Sequence, residues 1–248
     1  MTNTPSSDRP LEGLIALVTG ATRGIGRASA IGLADAGAHV IAVGRTQGAL
    51  EALDDEIKTR TGQGATLVPL DLAKGDDIDT LGGVIHQRWG KLDILVHAAG
   101  QLGDLTPAAH IEPKVWDKVV ALNFTASFRL IRSLEPLLRR SVAGRAIFLT
   151  TGVAVTPRAF WGVYAATKAG MENLVGCWAD ELETTPVRAI LLQPGPMRTR
   201  MRAQAYPGED PMTLPDPAEI APLVVELARP DLSPAGRVEF KTWKASRG

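Results

Sequence analysis

The stretch "WGVYAATKAG" (161–170) sets Lys168 four residues after Tyr164, one of two tyrosines in the chain. On a helix these positions lie one above the other, so a phenol and an ammonium would act on one site. The spacing alone fits an exposed pair on a surface helix as well, and the rest of the chain has to decide. A second chemistry is written in "LVTGATRGIG" (17–26), where Gly20, Gly24 and Gly26 follow an apolar run and open a helical one. Glycines there allow a tight turn, bring backbone N–H groups up to a pyrophosphate and let the helix pack closely, while the helix N-terminus favours negative charge. At the end of the next apolar run, "VIAVGRTQ" (40–47), Gly44 stands where an acid would accept hydrogen bonds from an NAD ribose, and Arg45 follows. With Arg23 inside the glycine turn, two guanidiniums near one 2′-phosphate favour NADP(H) over NAD(H). Simple solvation of both arginines is the alternative.

Seven short apolar or β-branched runs have to position these groups: "LIALVT" (14–19), "AHVIAV" (38–43), "ATLVPL" (65–70), "LDILVH" (92–97), "RAIFLT" (145–150), "VRAILL" (187–192) and "RVEFKTW" (237–243). Segments of helical period and length lie between most of them. That alternation predicts an α/β fold: a doubly wound, Rossmann-like, seven-stranded sheet, mostly or wholly parallel, with helices on both faces. No linker or repeat divides the chain, so residues 11–248 read as one domain after a flexible polar N-terminus at 1–10.

Two helices, near 113–140 and 162–184, are longer than a crossover needs. The first carries apolar residues from Trp116 to Leu134 over more than one stripe, which predicts a second buried face against another subunit of a homodimer or homotetramer. Asn123 falls inside that pattern, where a buried amide must be hydrogen-bonded. With 27 basic and 27 acidic residues the net charge is zero, which argues against nucleic acid or an anionic membrane as partner. The polar start "MTNTPSSDRP", the shortness of every apolar run and a single cysteine, Cys177, read as a packing residue, predict a cytoplasmic protein.

In order and at their spacings, "TGATRGIG" (19–26), Asp71-Leu72, "HAAG" (97–100), Asn123, "LTTG" (149–152), "YAATK" (164–168) and "PGPMRT" (194–199) resemble the short-chain dehydrogenase/reductases with a Tyr-x-x-x-Lys pair, over nearly the whole chain. The resemblance implies that Tyr164 is the general acid/base, that Lys168 activates it and holds the nicotinamide ribose, and that Asn123 positions a water in a proton relay. Elementary chemistry agrees, since a phenol near pKa 10 needs a positive charge close by to favour its anion. The resemblance further implies a dinucleotide site made by Gly20, Thr22, Arg23, Gly24, Ile25, Gly26 and Arg45. Asp71 and Leu72 would lie near the adenine, Ala98, Ala99 and Gly100 along the fourth strand, and Pro194, Gly195, Met197 and Thr199 by the nicotinamide. The implied activity is hydride transfer between NADP(H) and a carbonyl or secondary alcohol of a small molecule, with no metal. More narrowly, "WGVYAATK" with "RTRMRAQAYPGEDP" (198–211) is similar to a group of bacterial oxidoreductases of unassigned substrate.

Several positions depart from that pattern. Thr151 stands where the family has serine; its hydroxyl can still donate to a substrate oxygen, while its methyl stiffens the side chain and narrows the pocket. His97 replaces the common asparagine and is expected to make equivalent structural hydrogen bonds. The usual glycine-rich ending becomes "RVEFKTWKASRG" (237–248), which weakens the case for an oligomer contact at that end. Residues 195–216 read as a substrate loop or lid. Along it Arg198, Arg200 and Arg202 alternate, as a solvated face or as a reception for an anion, and Phe160, Trp161 and Met201 read as pocket or core. The rival from a different class is a catalytically silent NADP-binding sensor. An epimerase of the extended branch would carry a larger substrate domain, and an enoyl reductase would space its tyrosine and lysine more widely.

Overall fold

The computed structural model describes residues 9–247. Residues 1–8 of the predicted flexible end, and Gly248, lie outside the described residues. Arg9 pairs with Glu12 at 3.0 Å and Leu11 is fully buried, so structure begins inside the predicted end.

Seven strands, β1 (Ile15–Thr19), β2 (His39–Gly44), β3 (Thr66–Pro69), β4 (Ile94–His97), β5 (Arg145–Leu149), β6 (Arg188–Gln193) and β7 (Gly236–Glu239), form one sheet in the order β3-β2-β1-β4-β5-β6-β7. Every pairing is parallel, as the alternating pattern predicts. The helices are α1 (Gly24–Asp35), α2 (Gln47–Thr61), α3 (Gly75–Trp89), α4 (Pro113–Val120), α5 (Ala126–Leu138), α6 (Gly162–Glu181), α7 (Arg200–Ala205), α8 (Ala221–Ala228) and α9 (Phe240–Ala245). Strand alternation sorts the core into two layers. From β1, Ala16 and Val18 enter the layer shared with α1 and α8, and Leu17 enters the layer shared with α3, α5 and α6. Both sheet faces are covered, so all five residues of β1 are buried.

The chain runs outward from β1 to β3, then returns and runs the other way from β4. Connections therefore part beyond the carboxyl ends of β1 and β4, which leaves a crevice at that switch point. The walls there meet backbone to backbone. A Cβ on Gly20 would lie 2.9 Å from the Ala99 backbone, and one on Gly26 would lie 2.2 Å from the Gly20 carbonyl oxygen.

Some predicted boundaries move. The last run divides: the strand ends at Glu239, and Phe240 begins α9, where it stacks on Trp243 with ring centroids 6.0 Å apart. An i,i+3 pair is a helical spacing, which explains the change of element. The helix predicted at 113–140 is α4 and α5 joined by a π turn at Ala121–Thr125, ending at Leu138; the one predicted to reach 184 ends at Glu181. Cys177, expected to pack, is exposed, because its neighbour Trp178 takes the inward position on α6. Trp116, Phe124 and Phe128 of the α4–α5 segment are also exposed. Among the described residues no helix is long and apolar enough to cross a membrane.

Helices α3 and α5 approach so closely that a Cβ on Gly82 would lie 2.2 Å from the Ser133 carbonyl oxygen, while Gly83 has open space around its own. Gly82→Ala is therefore expected to destabilise the fold by about 1–3 kcal/mol. Gly83→Ala should stabilise it by up to about 1 kcal/mol. Paired urea titrations check both signs, and equal midpoints for the two variants would contradict the close approach.

Candidate active site

The crevice is an open cleft of 1660 Å³. Pockets for small ligands run to roughly 300–1,000 Å³, so this one has room for a dinucleotide and a second molecule. Every site residue predicted from sequence lines it except Asn123.

One end is the glycine turn. Helix α1 begins at Gly24 with Arg23 as N-cap; no side chain caps it and no acidic residue occupies its first turn, so its leading amides are open to an anion. Thr199 reaches the same place, its methyl 3.4 Å from where a Cβ on Gly24 would sit. Around this end Arg27 pairs with Glu56 and Arg60 with Asp35. Arg23 and Arg45 are exposed and have no ion-pair partner among the described residues. A glycine cradle with open amides and two unanswered guanidiniums fits a phosphorylated dinucleotide. Asp71 sits further along the wall, where its carboxylate accepts from the Ala73 amide at 3.1 Å. Among the described residues no three potential ligands gather in a way that could hold a metal ion.

The other end brings together β5 and the start of α6. Tyr164 and Lys168 are both buried, one turn apart on α6. Lys168 Nζ donates to the Leu149 carbonyl at 2.7 Å. The Thr151 hydroxyl faces the Tyr164 phenol and favours its anion, whereas Thr150 gives its hydroxyl to Glu172. That is the division strand alternation predicts. The electrostatics differ from the simple expectation of a phenol activated by its lysine. Burial pushes the Tyr164 phenol up to about 12, opposed only by the Thr151 hydrogen bond. Burial pushes Lys168 down to about 8, with the Glu172 carboxylate opposing. Desolvation is the largest influence on both groups, so the phenol keeps its proton at neutral pH.

Asn123 stands behind this wall. The π turn carries its amide into the interior, where it accepts from the Gln101 amide at 2.9 Å, donates to the Gln101 carbonyl at 2.8 Å, and donates to Thr167 at 3.3 Å. Its side chain is thus committed to bracing the loop after β4. A Cβ on Gly100 would lie 3.5 Å from Asn123 Oδ1 and 3.9 Å from Lys168 Nζ, so the two side chains face the same glycine.

Sequence reasoning missed a cross-sheet hold on the reacting end. Arg237 on β7 donates to the Thr151 carbonyl at 3.0 Å, pairs with the Glu172 carboxylate and bonds the Gln193 side chain. The altered C-terminal ending was the visible sign, but its partners are remote in sequence. The lid also differs from a bare arginine row: Arg198 pairs with Asp216 at 2.8 Å and Arg202 with Glu209 at 2.6 Å, leaving Arg200 without an ion pair among the described residues. Trp161 and Met201 line the cleft; Phe160 does not, being 57% exposed at a positive φ of 73°.

A parallel doubly wound sheet with a glycine turn at its switch point places the chain among the dinucleotide-binding folds. Comparison with known proteins narrows the class: residues 14–210 match the family described as short chain dehydrogenase, and the chain belongs to that family. It is 39% identical over 219 residues to the uncharacterized oxidoreductase YciK of Escherichia coli K12, spanning 88% of this chain and 86% of that one. It is 31% identical over 229 residues to the 3-oxoacyl-acyl-carrier-protein reductase FabG of Vibrio harveyi, spanning 89% and 92%. A solved short chain dehydrogenase of Shigella flexneri 2a, complexed with NADP, superposes with a TM-score of 0.90 at 37% identity over 94% of this chain and 99% of that one. One from Escherichia coli CFT073, complexed with NADPH, gives the same figures.

His97, below the site, shares a hydrogen bond between Nδ1 and Thr19 Oγ1 at 2.8 Å, while its buried Nε2 has no partner. The expected structural bonding is thus met at one ring nitrogen. Burial, aided by the Lys168 charge, pushes its pKa down to about 3. The unfolded chain keeps the ordinary value near 6.5, so protons favour unfolding as pH falls from there toward 3. The loss is on the order of 1.4 kcal/mol per pH unit. His97→Asn is expected to shift acid unfolding, followed by circular dichroism, to lower pH; an unmoved midpoint would speak against a neutral buried imidazole.

Proposed function

We propose that the protein is an NADP(H)-dependent oxidoreductase that interconverts a carbonyl and a secondary alcohol on a small molecule. The observation that carries this reading is the meeting of Thr151, Tyr164 and Lys168 at one end of a cleft whose other end is the glycine turn. When bound, the nicotinamide supplies the hydride. Tyr164 supplies the proton: with its pKa pushed up to about 12 it is protonated at neutral pH and serves as the general acid of reduction. Thr151 gives the substrate oxygen a second donor. Lys168, whose pKa of about 8 leaves it mainly charged at neutral pH, holds the ribose and offsets the charge left on the phenolate. Asn123 supports this end from behind, bracing Gln101 next to Gly100, the glycine that Lys168 also faces. Arg23 and Arg45 take the 2′-phosphate, a reading supported by the NADP and NADPH complexes of the Shigella and Escherichia coli relatives.

Fluorescence titration is expected to show tighter binding of NADPH than NADH, with the preference lost in Arg45→Asp. Tyr164→Phe should keep NADPH binding and lower carbonyl turnover by about 10²–10⁴-fold. Stronger NADH binding would overturn the cofactor assignment, and undiminished turnover in Tyr164→Phe would overturn the acid.

The exposed Trp116, Phe124 and Phe128 support assembly as a homodimer or homotetramer through the helices near 113–140 and 162–184. Sedimentation should give an assembly that Phe128→Glu dissociates; a wild-type monomer at micromolar concentration would refute it.

A further inference from the structure

The cleft beyond Tyr164 has a wall and an end that the reading above leaves unused. Trp161 stands three residues before Tyr164, its ring centroid 6.0 Å from the phenol ring at an interplanar angle of 61°. Tyr206, at the end of α7, lies a further 5.9 Å from the indole. The Tyr206 hydroxyl accepts a hydrogen bond from Arg158 Nη1, and the Arg202 guanidinium sits 3.7 Å from the Tyr206 ring centroid. A file of three rings thus leads from the reacting phenol to two guanidiniums, and Trp161, Tyr206, Arg158 and Arg202 all line the cleft.

The two arginines are not equivalent. Arg202 gives Nε and Nη2 to the two carboxylate oxygens of Glu209, both at 2.6 Å, so its charge is answered within the lid. Arg158 is exposed, and its side-chain bond goes to the Tyr206 hydroxyl; among the described residues it has no carboxylate partner. A guanidinium has five donors in a planar fork, and Tyr206 engages one nitrogen, which leaves donors free for a carboxylate. The cleft lining adds charge of the same sign. Lys114 and Lys118 on α4, and Arg200 on α7, line it without an ion pair among the described residues, against two similarly unpaired carboxylates, Asp71 and Asp104. Such a lining draws anions toward the cleft.

We propose that the substrate is a carbonyl compound with a distant carboxylate, its carbonyl at Tyr164, an apolar spacer along Trp161 and Tyr206, and its carboxylate at Arg158. This rests on the reductase reading. It also bounds a length: the indole stands between the phenol and the ring that holds Arg158, 6.0 Å from one and 5.9 Å from the other. An acid with its carbonyl directly beside the carboxylate is too short to reach both ends, whereas a long-chain oxo acid spans them.

The test compares three probes with NADPH and the full chain: an oxo fatty acid with its ketone next to the far methyl, its methyl ester, and the isomer with its ketone beside the carboxylate. The free acid with the distant ketone is expected to have a KM about 10–100-fold below that of its ester, the range of a charge-assisted hydrogen bond. The adjacent isomer should lack that advantage. Arg158→Gln should collapse the acid-to-ester KM ratio with a smaller effect on kcat. Tyr206→Phe, which removes the hydroxyl that positions Arg158 and keeps the ring, should move the ratio the same way by less. Ester and acid turned over alike, or Arg158→Gln weakening both equally, would overturn the proposal and leave the reductase reading standing. Turnover of no probe, with NADPH still bound, would overturn both.

Discussion

The rest of the structure depends on a contact between bare backbones. Where β1 gives way to α1, the chain lies against the loop after β4 and against itself with no space for one added carbon at Gly20 or Gly26. That closeness ties the switch point shut on its inner side, so the crevice opens outward with the α1 amides facing it. The constraint then passes along the molecule. The β4 loop is gripped at Gln101 by Asn123, Asn123 bonds Thr167, and Thr167 lies on α6 between Tyr164 and Lys168. The glycine turn and the Tyr164/Lys168 pair are thereby parts of one connected frame.

The reacting end runs against the fold's stability. A buried lysine whose pKa is pushed down, and a buried phenol with its pKa pushed up, are both groups that water would hold more comfortably. The protein keeps them dry with local restraints: the Leu149 carbonyl on Lys168, Thr151 on Tyr164, and Glu172 close enough to favour the ammonium. A dry site strengthens every charge interaction made inside it. Groups whose pKa values are pushed this far by burial cluster at functional sites.

Much of this was legible in the sequence because the signals are local. A parallel strand buried on both faces reads as a short apolar run, and all seven runs became strands, six of them within a residue or two of their predicted ends. The glycine turn and the Tyr164/Lys168 spacing are equally local. What escaped depends on partners far along the chain or on a single inserted residue. A π turn adds one residue to a helix and barely disturbs a periodic apolar pattern, so Asn123 looked like an amide within an ordinary helix. "VEF" suits a strand end as well as a helix start, and only packing of Phe240 on Trp243 settles it. The phase of α6 at Cys177 and Trp178 was likewise set by which of the two the core could use. The direction of the Tyr164 shift follows from burial, which spacing does not reveal.

Arg237 gives the fold an order of completion. It lies on the seventh strand, yet it holds the Thr151 carbonyl beside the fifth. A growing polypeptide can form the glycine turn and the first crossovers while its last strand is still being made. The loop that carries Thr151 gains this anchor only once β7 docks beside β6. Fraying of this outermost strand in the finished protein would therefore loosen Thr151 before it disturbed the glycine turn.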